Sequence, residues 1–408
     1  TSGSSLTVNH SGNNNYLNFT AGADTIGNLS ISSGVSGSAG IGTDLTVTGM
    51  LNLGSGTFNI DQRNLTLNGT LDSTGSGTIS GGSNGTANLT IGGNASNFGK
   101  LMFTPDSSVI NNLTVNNNNA GWVYLGTSLT VNQSLTLDGG RIGLLDTSDI
   151  IIIGTDTIHG GSANSYVATM GTGSLYINIP DSTSLNGYDD AMLHIGTQAN
   201  YAPVRIHNNG SAVGTFGANA RPGVFANGTT GADLSATESI VNTSWNLRSN
   251  LDSNLNASIE AFWSAGMEVN QFNRNDVQLK HYTGAGWDSI TGTQANLNAN
   301  GMASVRRNNV TSFSPFAVFS KPIATGIIEP TAKAQIFSLF PNPATTQTNI
   351  ALTNADKNYE LRITDIAGKQ VAFYNVNDTN NIIDVNNFAP GIYFFTLNNL
   401  HTQRFVKQ

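Results

Sequence analysis

A three-residue phrase, a leucine followed by a hydroxyl residue and an aliphatic, returns eight times in the first third of this chain. It stands at Leu6-Thr7-Val8, Leu29-Ser30-Ile31, Leu45-Thr46-Val47, Leu65-Thr66-Leu67, Leu89-Thr90-Ile91, Leu113-Thr114-Val115, Leu129-Thr130-Val131 and Leu135-Thr136-Leu137. Successive leucines lie 23, 16, 20, 24, 24, 16 and 6 residues apart. In a strand the first and third side chains of the phrase share one face and the hydroxyl takes the other. One strand cannot cover its aliphatic side alone. Stacked coils can, and each inward side chain then contributes about 1.5–3 kcal/mol. A period of about 20 residues therefore predicts a parallel β-helix over residues 1–156, with the first six steps one coil each and the last step two strands of a single coil. Gly75-Ser76-Gly77 and Asn116 to Asn119 supply corners. Antiparallel hairpins with the same alternation are the competing arrangement.

Composition extends the all-β expectation to the whole chain. Only five glutamates occur (Glu238, Glu260, Glu268, Glu329 and Glu360), and charged residues make up 10% of 408. Long helices draw on Glu, Lys, Ala and Leu, so almost no helix is expected. Thr, Val, Ile, Asn and Gly dominate instead, which suits strands and tight turns. The net charge of −8 is spread without a basic stripe, which argues against nucleic acid as a partner. No apolar run reaches the roughly 18 residues of a membrane-spanning helix. The absence of cysteine excludes disulfides, thiolate metal sites and cysteine nucleophiles. Thr1 to Ser5 do not form a signal peptide, and a strand phrase begins at once at Leu6, so more of the same fold is expected upstream in a longer protein.

From about Thr157 the phrase stops and aromatic residues increase. Alternating segments at Tyr166 to Ile179, Ala202 to His207, Ser244-Trp245-Asn246-Leu247, Ala261-Phe262-Trp263 and Leu279-Lys280-His281-Tyr282 predict a β-sandwich over 157–320. Val241, Trp245, the His281-to-Trp287 segment and Ser312-Phe313-Ser314-Pro315-Phe316 resemble a module found between body and sorting domain in large Bacteroidetes surface proteins. That resemblance implies a structural role.

Catalytic and metal sites are not evident. The six histidines (His10, His159, His194, His207, His281 and His401) show no metal-ligand spacing, and no serine sits in a Gly-x-Ser-x-Gly elbow. A polysaccharide-degrading β-helix would need clustered acidic and basic groups. The candidates Asp44, Asp61, Arg63, Asp72 and Arg141 fall on different coils, where solvated surface charge is the simpler role. Asp189-Asp190 after Asn186-Gly187 reads as a turn rather than a calcium site. Trp122 and Tyr124 share a face, as a polysaccharide-binding module would require, but core packing or a coil cap is expected for them. No enzyme activity, cofactor or metal is expected.

Residues 321–335 (KPIATGIIEPTAKAQ) read as a linker, broken by two prolines and a glycine. Beyond it, Thr348 to Leu352, Tyr359 to Ile366, Gln370 to Tyr374, Ile382 to Val385, Ile392 to Leu397 and Gln403 to Val406 are short strand-like segments, which predict a small Ig-like sandwich over 336–408. Pro341 and Pro343 favour an extended entry. Ala367-Gly368-Lys369 fits a hairpin turn with positive φ, and Pro390-Gly391 a second turn.

In order, spacing and position, Phe340-Pro341-Asn342-Pro343-Ala344, Leu361 to Lys369, Ile383-Asp384-Val385, Pro390-Gly391-Ile392-Tyr393-Phe394 and Arg404 to Gln408 resemble the type A C-terminal sorting domain of type 9 secretion cargo. The resemblance implies export through an outer-membrane translocon barrel and capture by a PorV-type shuttle barrel. It also implies cleavage by a sortase-like protease, placed here in the linker, and attachment at the cell surface. The sorting-signal residues it marks are Pro341, Asn342, Pro343, Ala344, Gly368, Lys369, Gly391, Tyr393, Arg404 and Lys407, with the Pro-Asn-Pro-Ala loop and the terminal strand as expected receptor contacts. Such cargo includes gliding-motility adhesins. The functional expectation is a secreted or cell-surface structural, adhesin-like protein, with surface polysaccharide as an external partner. A polysaccharide-binding or polysaccharide-degrading β-helix is the alternative. Five Asp-(Ser/Thr)-(aliphatic/Thr) triplets mark candidate O-glycosylation at Thr25, Ser73, Thr157, Ser182 and Ser289.

Overall fold

The computed structural model describes the chain apart from residues 1–2, 14, 83, 153–157, 182–189, 252–253, 322–335, 354–357 and 399–400. The chain is all-β. Strands make up 55%, with a β-solenoid of about 7 turns followed by β-sheets in the C-terminal region. Among the described residues no segment is α-helical. The chain divides into two compact units, residues 1–323 and 324–408.

In the solenoid of the first unit the ladders are parallel, which decides against hairpins there. The solenoid has three faces. The first carries Ser5–Asn9, Asn28–Ser32, Met50–Ser55 and Thr70–Asp72. The second carries Asn15–Leu17, Ser38–Ile41, Thr57–Asn59 and Thr78–Ser80. The third begins with Thr25–Ile26, Leu45–Val47, Asn64–Leu67, Asn88–Ile91, Val109–Asn116 and Leu129–Gly139.

The repeated phrase behaves as its alternation requires. Leu29, Ile31, Leu45, Val47, Leu65, Leu67, Leu89, Ile91, Leu113, Val115, Leu135 and Leu137 are all buried, and the hydroxyls between them point outward. Its bookkeeping by coil, however, needs correction. On the first face Leu6 stacks on Leu29 and Leu29 on Leu51. On the third face Leu45 stacks on Leu65, Leu65 on Leu89, Leu89 on Leu113 and Leu113 on Leu135. The 16-residue step from Leu29 to Leu45 is thus a change of face within one turn, not a short coil. Leu129 and Leu135 lie on one long strand, which shifts register against its neighbour between Ile110 and Asn112, as a β-bulge does.

The corners rely on glycine where coils approach closely. A Cβ added at Gly69 would sit 1.7 Å from the Gly49 carbonyl oxygen one coil away. A polar ladder runs along the outside of the third face. Asn88 Nδ2 donates to Asn64 Oδ1 at 2.8 Å, Asn112 Nδ2 to Asn88 Oδ1 at 2.8 Å, and Ser134 Oγ to Asn112 Oδ1 at 2.6 Å. Asp44 heads this ladder and accepts from Asn64 Nδ2 at 2.7 Å.

The expected boundary at Asp156 is not a boundary in the hydrogen bonding. Ile150–Ile152 pairs in parallel with Leu175–Ile179, and Arg141–Leu144 with Val167–Thr169. Leu175–Ile179 then pairs on its other side with Gly214–Pro222 in the antiparallel sense. One strand thus ends the solenoid and begins the sandwich. Its sheet continues through Ile240–Ser249, Pro315–Ser320 and Val277–His281. A second sheet orders Asp190–Leu193, Val204–Asn208, Ala257–Trp263, Ala303–Val310 and Asn296–Leu297. A single core runs from Ile26 to Val318 through both. The sandwich covers the stacking edge that the last coil would otherwise leave open. The phrase ends before Asp156 because the later coils use other side chains.

The aromatic residues of the 157–320 region serve packing. Trp245 is fully buried, with its indole N–H on the Ala202 carbonyl at 2.9 Å. His281 stacks on Phe316, and Asp288 accepts from the His281 amide at 2.8 Å while pairing with Arg307 at 2.6 Å.

Candidate functional site

The second unit has its own core of Phe337, Ile350, Leu361, Ile363, Val376, Ile383, Val385, Tyr393, Phe395, Leu397 and Phe405. Two antiparallel sheets enclose it. One orders Phe337–Phe340, Gln347–Leu352 and Asn380–Asp384. The other orders Gln370–Val376, Tyr359–Asp365, Gly391–Leu397 and His401–Lys407. Six of these strands coincide with the segments expected from sequence. Phe337–Phe340 was not anticipated, because only Phe337 of its four residues is buried and alternation is weak.

Most of the motif residues hold this module together. The Pro341 and Pro343 peptide bonds are both cis, in place of the expected extended entry. Between them the Asn342 side chain imitates a strand. It donates to the Arg404 carbonyl at 2.7 Å and accepts from the Val406 amide at 2.9 Å. Ala344 is buried and completes the seam, donating to the Val406 carbonyl at 3.1 Å and accepting from the Gln408 amide at 3.0 Å. The loop and the terminal strand are therefore each other's partners. Gly368 turns at φ +79° with open space around its α-carbon, so backbone conformation, not crowding, selects glycine there. Asp365 Oδ1 caps that turn by accepting from the amides of Ala367 and Lys369, each at 2.9 Å. Tyr393 is buried, with its hydroxyl on the Ala389 carbonyl at 2.9 Å, just ahead of Gly391, which opens the strand. Lys407 is buried with its ammonium on the Gln408 carbonyl, whereas Lys369 and Arg404 are exposed.

The outer face of the four-stranded sheet is marked by the motif segments only in part, through Arg362, Ile392, Phe394 and Arg404, while Val371 and Phe373 lie outside them. Val371, Phe373, Ile392 and Phe394 are 39, 48, 39 and 36% exposed. Arg362 lies opposite Phe373, and Arg404 opposite Phe394. Of the twelve large apolar side chains exposed among the described residues, seven belong to this small unit, so the apolar surface is concentrated there. The signal available in sequence was the apolar residue on the wrong side of the alternation at 371, 373, 392 and 394.

In the body, the charged candidates do not converge on one site. Asp44 belongs to the asparagine ladder. Asp72 accepts from the Thr74 amide at 3.0 Å, a hydrogen bond that lowers its pKa, and from Asn52 at 3.2 Å. Arg141 donates to the carbonyls of Ala120 and Ala163 and lies over the rings of Trp122 and Tyr166. Asp61 and Arg63 share a groove. Among the described residues no three His, Asp or Glu gather as a metal site would require. Trp122 and Tyr124 are neither core nor cap. They point outward with ring planes 7° apart, while Val123 and Leu125 fill the core. His194 is held neutral, its pKa lowered to about 4 by burial and then by the Arg205 charge, with its Nδ1 2.5 Å from the Tyr201 hydroxyl. Of the glycosylation candidates, Thr25 and Ser73 are half-buried and Ser289 is exposed, while Thr157 and Ser182 lie outside the described residues, as does Asp189 of the Asn-Gly turn reading.

Comparison with known proteins agrees with this geometry at the C-terminus. Residues 338–408 match the family model of the secretion system C-terminal sorting domain. No curated protein matches the chain. One similar solved structure is that of PorZ, an essential bacterial surface component of the type-IX secretion system of Porphyromonas gingivalis. It is 13% identical and aligns over 53% of this chain and 38% of its own, with a TM-score of 0.16. The separate core and the matched residues coincide: the C-terminal module is a secretion system sorting domain, and it marks the chain as type 9 secretion cargo.

Proposed function

We propose that this chain is a non-catalytic, adhesin-like surface protein whose solenoid and sandwich form a rigid displayed body and whose last module is its export address. One observation carries the reading: the module that matches the sorting family folds around its own core. A body whose candidate acidic and basic residues mostly serve ladders and turns supports display rather than catalysis. The outer face with Phe373, Phe394, Arg362 and Arg404 is the surface we assign to the shuttle barrel. Apolar rings interleaved with cations fit a partner that offers both apolar and acidic groups. The linker 321–335, of which 322–335 lie outside the described residues, is where a sortase-like protease would separate body from address. Gliding motility is one setting that such display would serve.

The test is transplantation in both directions. Removal of 336–408 abolishes appearance of the body at the surface or in the medium, and fusion of 321–408 to an unrelated periplasmic protein exports it. Export of the truncated chain at the full-length level defeats the proposal.

A further inference from the structure

The corners between the second and third faces differ in length. The connections at 18–24 and 81–87 are long, whereas Gly42-Thr43-Asp44 and the stretch from Ile60 to Arg63 between them are short. Short corners between long ones leave a groove of about 550 Å³, lined by Tyr16, Asn18, Asp61, Gln62, Arg63 and Asn84 over a floor of glycines. The floor is low because it lacks side chains. A Cβ at Gly42 would stand 2.1 Å from Asn18 Oδ1, and one at Gly82 2.8 Å from Asp61 Oδ1. Tyr16 remains 45% exposed over this floor, and the Asp61 carboxylate that accepts from its hydroxyl raises its pKa. The volume lies within the roughly 300–1,000 Å³ typical of small-molecule sites.

We propose that this groove binds a neutral polysaccharide strand, with Tyr16 as the platform for one sugar ring. A pyranose offers an apolar C–H face and a rim of hydroxyls. The tyrosine ring meets the first. The planar amides, the Asp61 carboxylate and the Arg63 guanidinium that line the groove meet the second, since each hydroxyl both donates and accepts. One positive and one negative side chain cancel, so a uronate polymer gains nothing here over an uncharged one. Glycoside hydrolysis requires two carboxyl groups flanking the bond, and only Asp61 lines the groove. The groove is therefore a site of retention. This inference supplies the external ligand for the display reading above and rests on it.

The experiment is affinity electrophoresis of the purified full chain in mixed-linkage β-glucan, arabinoxylan, galactomannan and soluble starch, with polygalacturonate as the polyanion. Retardation in at least one neutral glycan, exceeding that in polygalacturonate, is expected. Tyr16→Ala weakens it by about tenfold, the loss of one stacked ring. Tyr16→Phe retains it, and Trp122→Ala leaves it unchanged. Matching thermal melts establish that the variants are folded. No retardation in any of the four, preference for the polyanion, equal retardation of folded Tyr16→Ala, or loss on Trp122→Ala overturns the inference. The readout does not involve export. A chain that binds glycan but stays inside the cell sinks only the secretion reading, and one that is exported but binds none of these probes sinks only the groove.

Discussion

Replacing Phe373 and Phe394 together by threonine separates the address from the fold that carries it. Both rings lie on the outer face of their sheet, 48 and 36% exposed, outside the buried core of the module. Threonine brings a branched β-carbon that a strand favours, as it favours the aromatic ring it replaces, so the change in stability stays below about 1 kcal/mol per site. Docking against a partner would cover what remains of each ring. Full burial of a phenylalanine contributes about 1.5–3 kcal/mol, so the two partly exposed rings together add roughly 2 kcal/mol to a complex. That corresponds to a loss of about 30-fold in affinity for the shuttle barrel. The control is Phe395→Ala, next to Phe394 on the opposite face of the same strand: Phe395 is fully buried, and its truncation costs about 3–5 kcal/mol of fold stability. Export is read as the surface-to-periplasm ratio of full-length chain by immunoblot, and stability as the thermal melt of the same variants. The double threonine variant is expected to melt close to wild type and to accumulate in the periplasm. If it melts normally and is exported normally, the outer face is not the surface being read and the argument from exposed apolar rings is wrong.

Three further outcomes follow from the body. Leu89→Ala, at 1% exposure between Leu65 and Leu113, lowers stability by about 2–5 kcal/mol in denaturant unfolding, whereas Leu6→Ala on the half-buried first coil costs well under half of that. Gly69→Ala, although glycine is usually the weaker strand residue, destabilises the solenoid, because the new Cβ meets the Gly49 carbonyl at 1.7 Å; a melt equal to wild type refutes the close approach. Because His194 has its pKa depressed from 6.5 to about 4, the unfolded chain binds a proton between those pH values that the folded chain does not. Stability is then constant above about pH 6.5 and falls by roughly 3 kcal/mol towards pH 4, and His194→Gln flattens that part of the profile.

The sequence made the solenoid legible because one physical rule, the alternation of inward aliphatic and outward hydroxyl, was repeated in letters. It hid the number of faces, because the same phrase serves two of them and a count along the chain cannot tell a turn of the coil from a step between faces. The asparagine column at 64, 88 and 112 had the same spacing as the leucine beside it, yet asparagine also fills the corners and gives no contrast there. The end of the solenoid was misplaced for a related reason. Leu175-Tyr176-Ile177 keeps the alternation with a different side chain between the aliphatics, Val167-Ala168-Thr169 is buried throughout, and only the parallel hydrogen bonds reveal both as further coils.

The terminal module shows why a family signature and a binding surface need not be the same residues. Asn342, Gly368 and Tyr393 are conspicuous in sequence because a single residue type satisfies each position: a side chain that mimics a strand, a left-handed turn, and a hydroxyl reaching a carbonyl four residues back. Such constraints come from the fold and act in every copy of it. A docking face asks only for apolar area at roughly the right place, which many residues supply, so Phe373 stands outside the motif segments although Phe394 ends one of them. If the outer face is the docking surface proposed above, export depends on the signature indirectly. A substitution at Asn342 detaches the terminal strand and disturbs the sheet on which the rings stand, while a substitution of the rings leaves those hydrogen bonds in place. Loss of export with loss of folding in the first case, and without it in the second, is the pattern that distinguishes a scaffold from the surface it presents.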